Sequence, residues 1–335
     1  MGRIARLAGA VFLALGASAA AAATGTLAEV TARGTLRCGV SAAAVSGFAT
    51  RDDAGRWTGF EIDYCRAIAA AVLADAEAVR FVALNDGAGA AALARGSIDV
   101  LADGTPWTAG RDAGGLEFPA VTFYDGQVFL VPRALGVRSA LELDGARICV
   151  LAGDGSIARL EAFFARHLME HVVLMFRAAA DMFAAYDEAL CDAVSTTRRR
   201  LALGRSGLDA PDEHVILPEL VAKEPLALAV AGGDPPWADV VRWVHMALLV
   251  AEEVGLDQDR AAGADGAGDG VLDGDREVAR GLGLEPGWTR RAVAAGGHYG
   301  ELFARHLGPG SEVGLERGPN ALWRDGGLHY PPPLR

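Results

Sequence analysis

Twice along this chain a strand gives way to a helix and the helix to another strand, which leaves little but parallel sheets with crossover helices. In the first run Leu36-Arg-Cys-Gly-Val40 reads as a strand and Gly47 to Gly55 as a polar turn. Gly59-Phe-Glu-Ile-Asp63 then leads into a helix whose apolar side is Ile62, Cys65, Ile68 and Val72, at helical spacing. Val79 to Leu84 is a second strand, Ala90 to Arg95 a short helix stopped by Gly96, and Ile98 to Leu101 a third strand. The pattern restarts after Gln127-Val-Phe-Leu-Val-Pro132. Arg147-Ile-Cys-Val-Leu151 is a strand and Gly153-Asp-Gly-Ser156 a glycine-rich turn. The next helix carries Leu160, Phe163, Phe164, His167 and Leu168 as its apolar stripe. A helix from Asp181 to Ala189 and a strand from Cys191 to Ser195 complete a second α/β unit, about Arg138 to Pro218.

Beyond these units, Glu224-Pro-Leu-Ala-Leu-Ala-Val230 reads as a strand, and Asp234-Pro-Pro-Trp237 starts a strong helix. Asp is a good N-cap and proline suits the first turn. The buried face is Trp237, Val240, Val241, Val244 and Leu248, and Gly255 stops the helix. From Asp257 to Gly274 the chain is mostly glycine, alanine and aspartate and reads as a loop. Trp288 to Arg335 mixes aromatics with glycine and proline and is expected to pack as irregular structure on one unit.

The N-terminus has its own signature. Met1-Gly-Arg-Ile-Ala-Arg6 carries two positive charges, and an alanine-rich apolar run follows from Leu7 to Ala23. That is the pattern of a secretory signal peptide over residues 1–23, with cleavage near Ala22 or Ala23. The run is too weakly hydrophobic and too short for the ~20 residues of a membrane span. About 310 residues then remain, enough for two domains. A net charge of −12 argues against nucleic acid as a partner. Four cysteines, at 38, 65, 149 and 191, are expected to be oxidised in an exported chain; three pairings are open. Cys38–Cys65 with Cys149–Cys191 is preferred, because each bridge then stays within one unit.

The stretch most informative about function is Ile98-Asp-Val-Leu-Ala-Asp-Gly-Thr-Pro-Trp-Thr-Ala-Gly-Arg-Asp112. It reads as a buried strand ending in a polar turn with Thr105, Thr108 and Arg111. In α/β proteins ligands bind at such carboxyl ends of strands. The planar arginine fork suits a carboxylate, with which it makes paired charge-assisted hydrogen bonds.

Taken with the export signal, these features resemble the periplasmic solute-binding proteins of polar amino-acid ABC transporters, in particular the general L-amino-acid-binding branch. The resemblance rests on Trp57-Thr-Gly-Phe-Glu-Ile-Asp-Tyr-Cys-Arg-Ala-Ile-Ala-Ala-Ala-Val72, Trp107-Thr-Ala-Gly-Arg-Asp112, Tyr124-Asp-Gly-Gln127, His214-Val-Ile-Leu-Pro-Glu219 and Lys223-Glu-Pro-Leu226. The tail adds Tyr299-Gly-Glu-Leu-Phe303, Gly308-Pro-Gly-Ser311, Asn320-Ala-Leu-Trp323, Gly326-Gly-Leu328 and Pro332. It implies an α/β, two-lobed periplasmic binding protein fold of type II, with two hinge strands and a C-terminal extension. Lobe one would be 27–132 plus 226–253, lobe two 138–218, and the extension 254–335, packed on a lobe. Ligand would sit between the lobes, and hinge closure would present both lobe surfaces to a membrane ABC permease. A monomer without a cofactor or metal is expected.

By the same resemblance, lobe one holds the ligand's carboxylate with an arginine, a hydroxyl and a backbone N–H. Arg111 matches the arginine, with Asp103, Gly104 and Thr105 as neighbouring candidates. The hydroxyl expected just before Trp107 is replaced by Pro106, which has neither hydroxyl nor N–H. Lobe two normally holds the ammonium with an aspartate, and Thr197 stands there, followed by Arg198-Arg-Arg200. A hydroxyl accepts a hydrogen bond but lacks the charge. Asp154, Gly155 and Ser156 in the glycine-rich turn are the other lobe-two candidates. The bulky Glu-Arg-Phe usual before the lobe-one helix is here Gly87-Ala-Gly-Ala-Ala91, which would enlarge the pocket. The cleft therefore reads as altered, toward an anionic or less cationic ligand or toward lost affinity.

Other patterns carry less. His167-Leu-Met-Glu-His171 matches an inverted zinc-protease motif, but the helix stripe accounts for His167. The acidic run Asp265-Gly-Ala-Gly-Asp-Gly270 resembles a calcium loop, yet position twelve is Arg276 where a bidentate glutamate is required. Gly153-Asp-Gly-Ser156 lacks the phosphate-loop lysine and is better read as N–H donors at a helix start. The expected function is a non-enzymatic receptor for an amino acid or small carboxylate. The alternatives are a periplasmic dehydratase-like enzyme, for which Asp103 or Glu61 would be the cleft acid or base, and a degenerate receptor acting as a sensory or partner-binding module.

Overall fold

The computed structural model describes residues 25–153, 155–263, 272 and 276–334. The expected signal peptide, Asp154 and the calcium-loop-like run from Asp265 lie outside the described residues. The strands are β1 (Leu36–Ser41), β2 (Thr50–Arg51), β3 (Trp57–Thr58), β4 (Val79–Leu84), β5 (Val100–Leu101), β6 (Leu116–Pro132), β7 (Ala146–Leu151), β8 (His171–Phe176), β9 (Ala193–Thr197), β10 (His214–Ile216) and β11 (Ala222–Ala231). The helices are α1 (Thr26–Arg33), α2 (Phe60–Leu73), α3 (Gly89–Ala94), α4 (Ala109–Ala113), α5 (Ser156–Arg166), α6 (Ala179–Asp187), α7 (Arg198–Ser206), α8 (Pro235–Val254), α9 (Gln258–Ala262), α10 (Arg276–Leu282), α11 (Trp288–Gly296) and α12 (Tyr299–His306).

The large sheet runs β4-β1-β5-β11-β6-β9-β7-β8, with β10 also paired to β6. Its two outer thirds are parallel, β1 with β4 and β5, and β7 with β8 and β9, as crossover helices require. The middle is antiparallel: β6 and β11 pair from Ala222 opposite Gln127 to Ala231 opposite Leu116. At one end of this ribbon β11 meets β5, and at the other β6 meets β9 and β10. These are the two strands that join the lobes of a type II binding-protein fold.

Each half of the sheet has its own core. In the first lobe one face is covered by α2, α8, α11 and α12, burying Phe60, Trp237, Trp288, Tyr299 and Phe303. The opposite face is closed by Ala92, Leu93 and Phe118. In the second lobe two smaller clusters flank the sheet, one around Met182 and Leu201 and one around Phe129, Leu160 and Phe164. Cys38 on β1 is bonded to Cys65 on α2, and Cys149 on β7 to Cys191 just before β9, so each bridge stays inside one lobe.

Helix α8 follows its sequence signals: Asp234 Oδ1 accepts from the Trp237 N–H, prolines fill the first turn, and Gly255 ends the helix with φ 69°. Three expectations are corrected. Residues 257–262 are not loop, since the Asp257 side chain caps α9. The tail is not irregular throughout, because Trp288–Gly296 and Tyr299–His306 are helices that drive aromatics into the first core. Helix α5 ends at Arg166; His167 is its C-cap and Leu168 turns out with φ 57° at 95% exposure, so the apolar stripe stops early. With His171 already in β8, the two motif histidines do not share a helix face. The extension also reaches the hinge. Asn320 accepts from the Tyr124 N–H at 2.6 Å and donates to its carbonyl at 3.2 Å.

Candidate functional site

The carboxyl end of β5 and the turn after it form the first wall of the site. Asp103 and Thr105 are partly buried, and the Thr105 hydroxyl donates to Asp103 Oδ1. The turn is tied to the hinge, with the Ala227 N–H bonded to the Thr105 carbonyl and the Trp107 N–H to that of Pro225. Thr108 caps α4, which carries Arg111. Arg111 is exposed, and its Nη1 donates to the Pro106 carbonyl at 3.1 Å. Arg111, Thr105 and Asp103 share a cavity of ≈ 210 Å³ whose remaining wall includes Gly87, Gly89, Ala90 and Leu101. Small residues, Gly87, Gly89 and Ala90, therefore line the space beside Arg111.

The second wall comes from β9, α7 and the start of α5. Thr197 is the N-cap of α7, its hydroxyl accepting from the Arg200 N–H at 3.3 Å. Gly155 is the N-cap of α5 with φ 76°, and buried Ser156 donates to the Leu151 carbonyl at 3.1 Å. Gln127, on the hinge strand, donates to the Ser156 carbonyl and the Ser195 hydroxyl and accepts from Arg159. Thr105 and Arg111 thus share a cavity of the first lobe, whose lining does not include Thr197, Gly155 or Ser156 at the starts of α7 and α5.

What reaches across is one of the three arginines that follow Thr197. Arg199 lies in the first turn of α7, its N–H bonded to Asp125 Oδ1 at 3.3 Å. Its guanidinium reaches the first lobe and sits 5.2 Å from the centre of the Phe48 ring. A Cβ at Gly104 would collide with Arg199 Nη1 and come within 3.2 Å of Glu61 Oε1; only glycine, here at φ 70°, leaves room. Glu61 is buried in the first turn of α2, and burial pushes its carboxyl up to about 8, with Asp103 adding to the rise and Arg199 opposing it. Asp103 is raised too, mainly by burial, with its Thr105 hydrogen bonds and Arg199 opposing. Asp125 on the hinge is pushed up to about 6 by burial, and its Oδ2 has no hydrogen-bond partner. A signal for this arrangement was present. Three arginines in the first turn oppose the helix dipole and need acidic neighbours.

The comparisons fit this architecture. Residues 36–243 match the family model of bacterial extracellular solute-binding proteins, family 3. The chain belongs to this family. It is 41% identical to the general L-amino acid-binding periplasmic protein AapJ of Rhizobium johnstonii, over 98% of this chain and 97% of that one. It is 40% identical to the glutamate/glutamine/aspartate/asparagine-binding protein BztA of Rhodobacter capsulatus, over 95% of each. A solved periplasmic binding protein of an ABC transporter from Brucella ovis, with glutathione bound, shares 42% identity and a TM-score of 0.77, covering 93% of this chain and 99% of that one. This family member is thus a periplasmic solute-binding component of an ABC transporter and acts by binding, not catalysis.

Proposed function

We propose that this protein delivers an amino acid or a closely related small carboxylate to a membrane permease, holding it in the cleft between its lobes. The observation that carries this is the cavity at the end of β5, where Arg111 stands beside Thr105 and Asp103. A ligand carboxylate would take Arg111 from the Pro106 carbonyl, exchanging a neutral acceptor for a charged one. The relatives support the ligand class, since they are named for L-amino acids, for acidic amino acids and their amides, or carry glutathione, itself a γ-glutamyl peptide. In this reading lobe one is 27–132 with 226–253, lobe two is 138–218, and export removes residues 1–22 or 1–23. Gly87 to Ala91, Pro106 and Thr197 adapt the cleft to a ligand bulkier than a simple amino acid.

The test is calorimetric titration of ligand-stripped protein with L-amino acids, small dicarboxylates and glutathione, alongside thermal melts. At least one should bind and raise the melting temperature. Arg111→Ala should then weaken binding at least tenfold, as expected for a charge-assisted hydrogen bond of ~1.5–3 kcal/mol, with the unliganded melt unchanged. No heat and no thermal shift from any compound would refute the receptor reading.

A further inference from the structure

Helix α7 of the second lobe engages the first. Ala202 packs into the first lobe's core, and Arg205 donates to the Val313 and Gly314 carbonyls of the C-terminal extension. From this helix Arg199 enters the cleft, where its guanidinium lies over the Phe48 ring and its Nη1 shares the space beside Gly104 with Glu61 Oε1. It acts on the Glu61 and Asp103 carboxyls electrostatically, without an ion pair to either. The helix start is also tethered, through the Arg199 N–H to Asp125.

We propose that Arg199 is a built-in occupant of a cation subsite formed by Glu61, Asp103 and Phe48, and that it selects for ligands whose own cationic group displaces it. The proposal rests on the receptor reading above for the nature of the ligand, and goes beyond it in assigning this subsite and its resident. The arrangement makes the protein its own competitor. A ligand cation replaces a tethered guanidinium in place of water, so binding is weaker than the bare acidic pair would give.

The experiment compares wild type with Arg199→Met, which keeps an unbranched stem over Phe48 but removes the charge, and with Arg199→Lys, which keeps the charge. Each is titrated at pH 8 with L-arginine, L-lysine and L-alanine, and circular dichroism checks the fold. At that pH Glu61 is substantially ionised, and a ligand cation favours its ionised form further. Arg199→Met should bind L-arginine and L-lysine at least tenfold more tightly than wild type, with a smaller gain for L-alanine, and Arg199→Lys should behave like wild type. The gain should vanish in Glu61→Gln/Arg199→Met. Equal affinities in wild type and Arg199→Met, or a gain of the same size for all three compounds, would overturn the proposal. If wild type binds the panel and Arg199→Met gains nothing, the subsite is wrong and the receptor reading stands. If Arg199→Met binds cations while wild type binds none of the panel, the subsite stands and the receptor reading falls.

Discussion

The two lobes bury different chemistry. The first hides Glu61, Asp63, Asp99, His245 and His329, whereas the second hides Ser156, Ser195, Thr196 and, of the charged side chains among the described residues, Arg198. Some of the first lobe's buried charge is paired: Asp99 is held by Arg33 and Arg37, and Asp63 by Arg66, Arg305 and His306. Glu61 instead faces the cleft, and the two histidines sit neutral in an aromatic nest with Tyr64 and Tyr299. In the second lobe Ser156 and Ser195 are tied to Gln127 by neutral hydrogen bonds, Arg147 pairs with Asp192, and Arg198, Arg199 and Arg200 open α7.

The largest expected effect is a pH response confined to the first lobe. Burial lowers His245 to about 3, and His329 is strongly lowered as well, by burial with the neighbouring positive groups adding to it. A base depressed in the folded state is protonated first in the unfolded chain, so stability is full above about pH 6.5 and is lost as pH falls below it. Glu61, raised to about 8, works in the opposite sense: the folded state holds its proton longer, so stability declines as pH rises from about 4.5 to 8. At about 1.4 kcal/mol per pKa unit, each group contributes on the order of a few kcal/mol across its window. The two windows overlap between about pH 4.5 and 6.5, where two histidines outweigh one carboxyl, so the expected maximum lies near pH 6.5. Glu61→Gln should remove the decline above about pH 6.5 and steepen the rise below it. Equilibrium denaturation by tryptophan fluorescence checks this selectively, because Trp57, Trp107, Trp237, Trp243, Trp288 and Trp323 all lie outside 138–218. An alkaline slope that persists in Glu61→Gln would break the contrast.

The sequence made the frame of both lobes legible because period and caps are local. Strands β4 and β7 appear as short apolar runs, and α8 is announced by Asp234 and two prolines. The same locality explains the misses. Helices α11 and α12 are short and glycine-flanked, and α12 is capped by His298 in a reciprocal box with Glu301, so neither carries the usual serine or threonine start. Their stability comes from burying Trp288, Tyr299 and Phe303 against distant helices. Arg111 was legible as a strand-end arginine. The Arg199 contact was legible only as arginines at a helix start that need acidic neighbours, because which acids those are depends on the lobes meeting across the hinge.

A second, smaller effect concerns the disulfides. Removing either should cost ~2–4 kcal/mol, with slightly more for Cys149–Cys191, which closes 42 residues against 27 for Cys38–Cys65. The consequence should differ more than the energy does. The second lobe has two thin clusters where the first has one large core. Cys149→Ala/Cys191→Ala should therefore unfold that lobe first, visible in far-ultraviolet circular dichroism but silent in tryptophan fluorescence. Cys38→Ala/Cys65→Ala should move both signals together. Coincident transitions in both variants would show that the lobes are one cooperative unit.

The smallest effect sharpens the contrast of the cleft walls. Thr197→Asp places a carboxylate on the basic wall without disturbing the fold, because aspartate caps a helix at least as well as threonine and Thr197 already accepts from the Arg200 N–H. The unliganded melting temperature should change little. Affinity for L-alanine and L-glutamate should rise by up to about tenfold, about 1.4 kcal/mol, from a charged acceptor for the ammonium. Adjacent arginines, and Arg199 above all, would absorb part of that charge. Thr197→Asn separates charge from geometry, since asparagine also caps but stays neutral. If asparagine and aspartate give the same gain, the added hydrogen-bonding group matters and the charge contrast does not. A gain for aspartate alone means that the missing negative charge on the second wall limits amino-acid binding. A loss with aspartate would mean that this wall receives the ligand's anionic group, and that the acids opposite it take the cation.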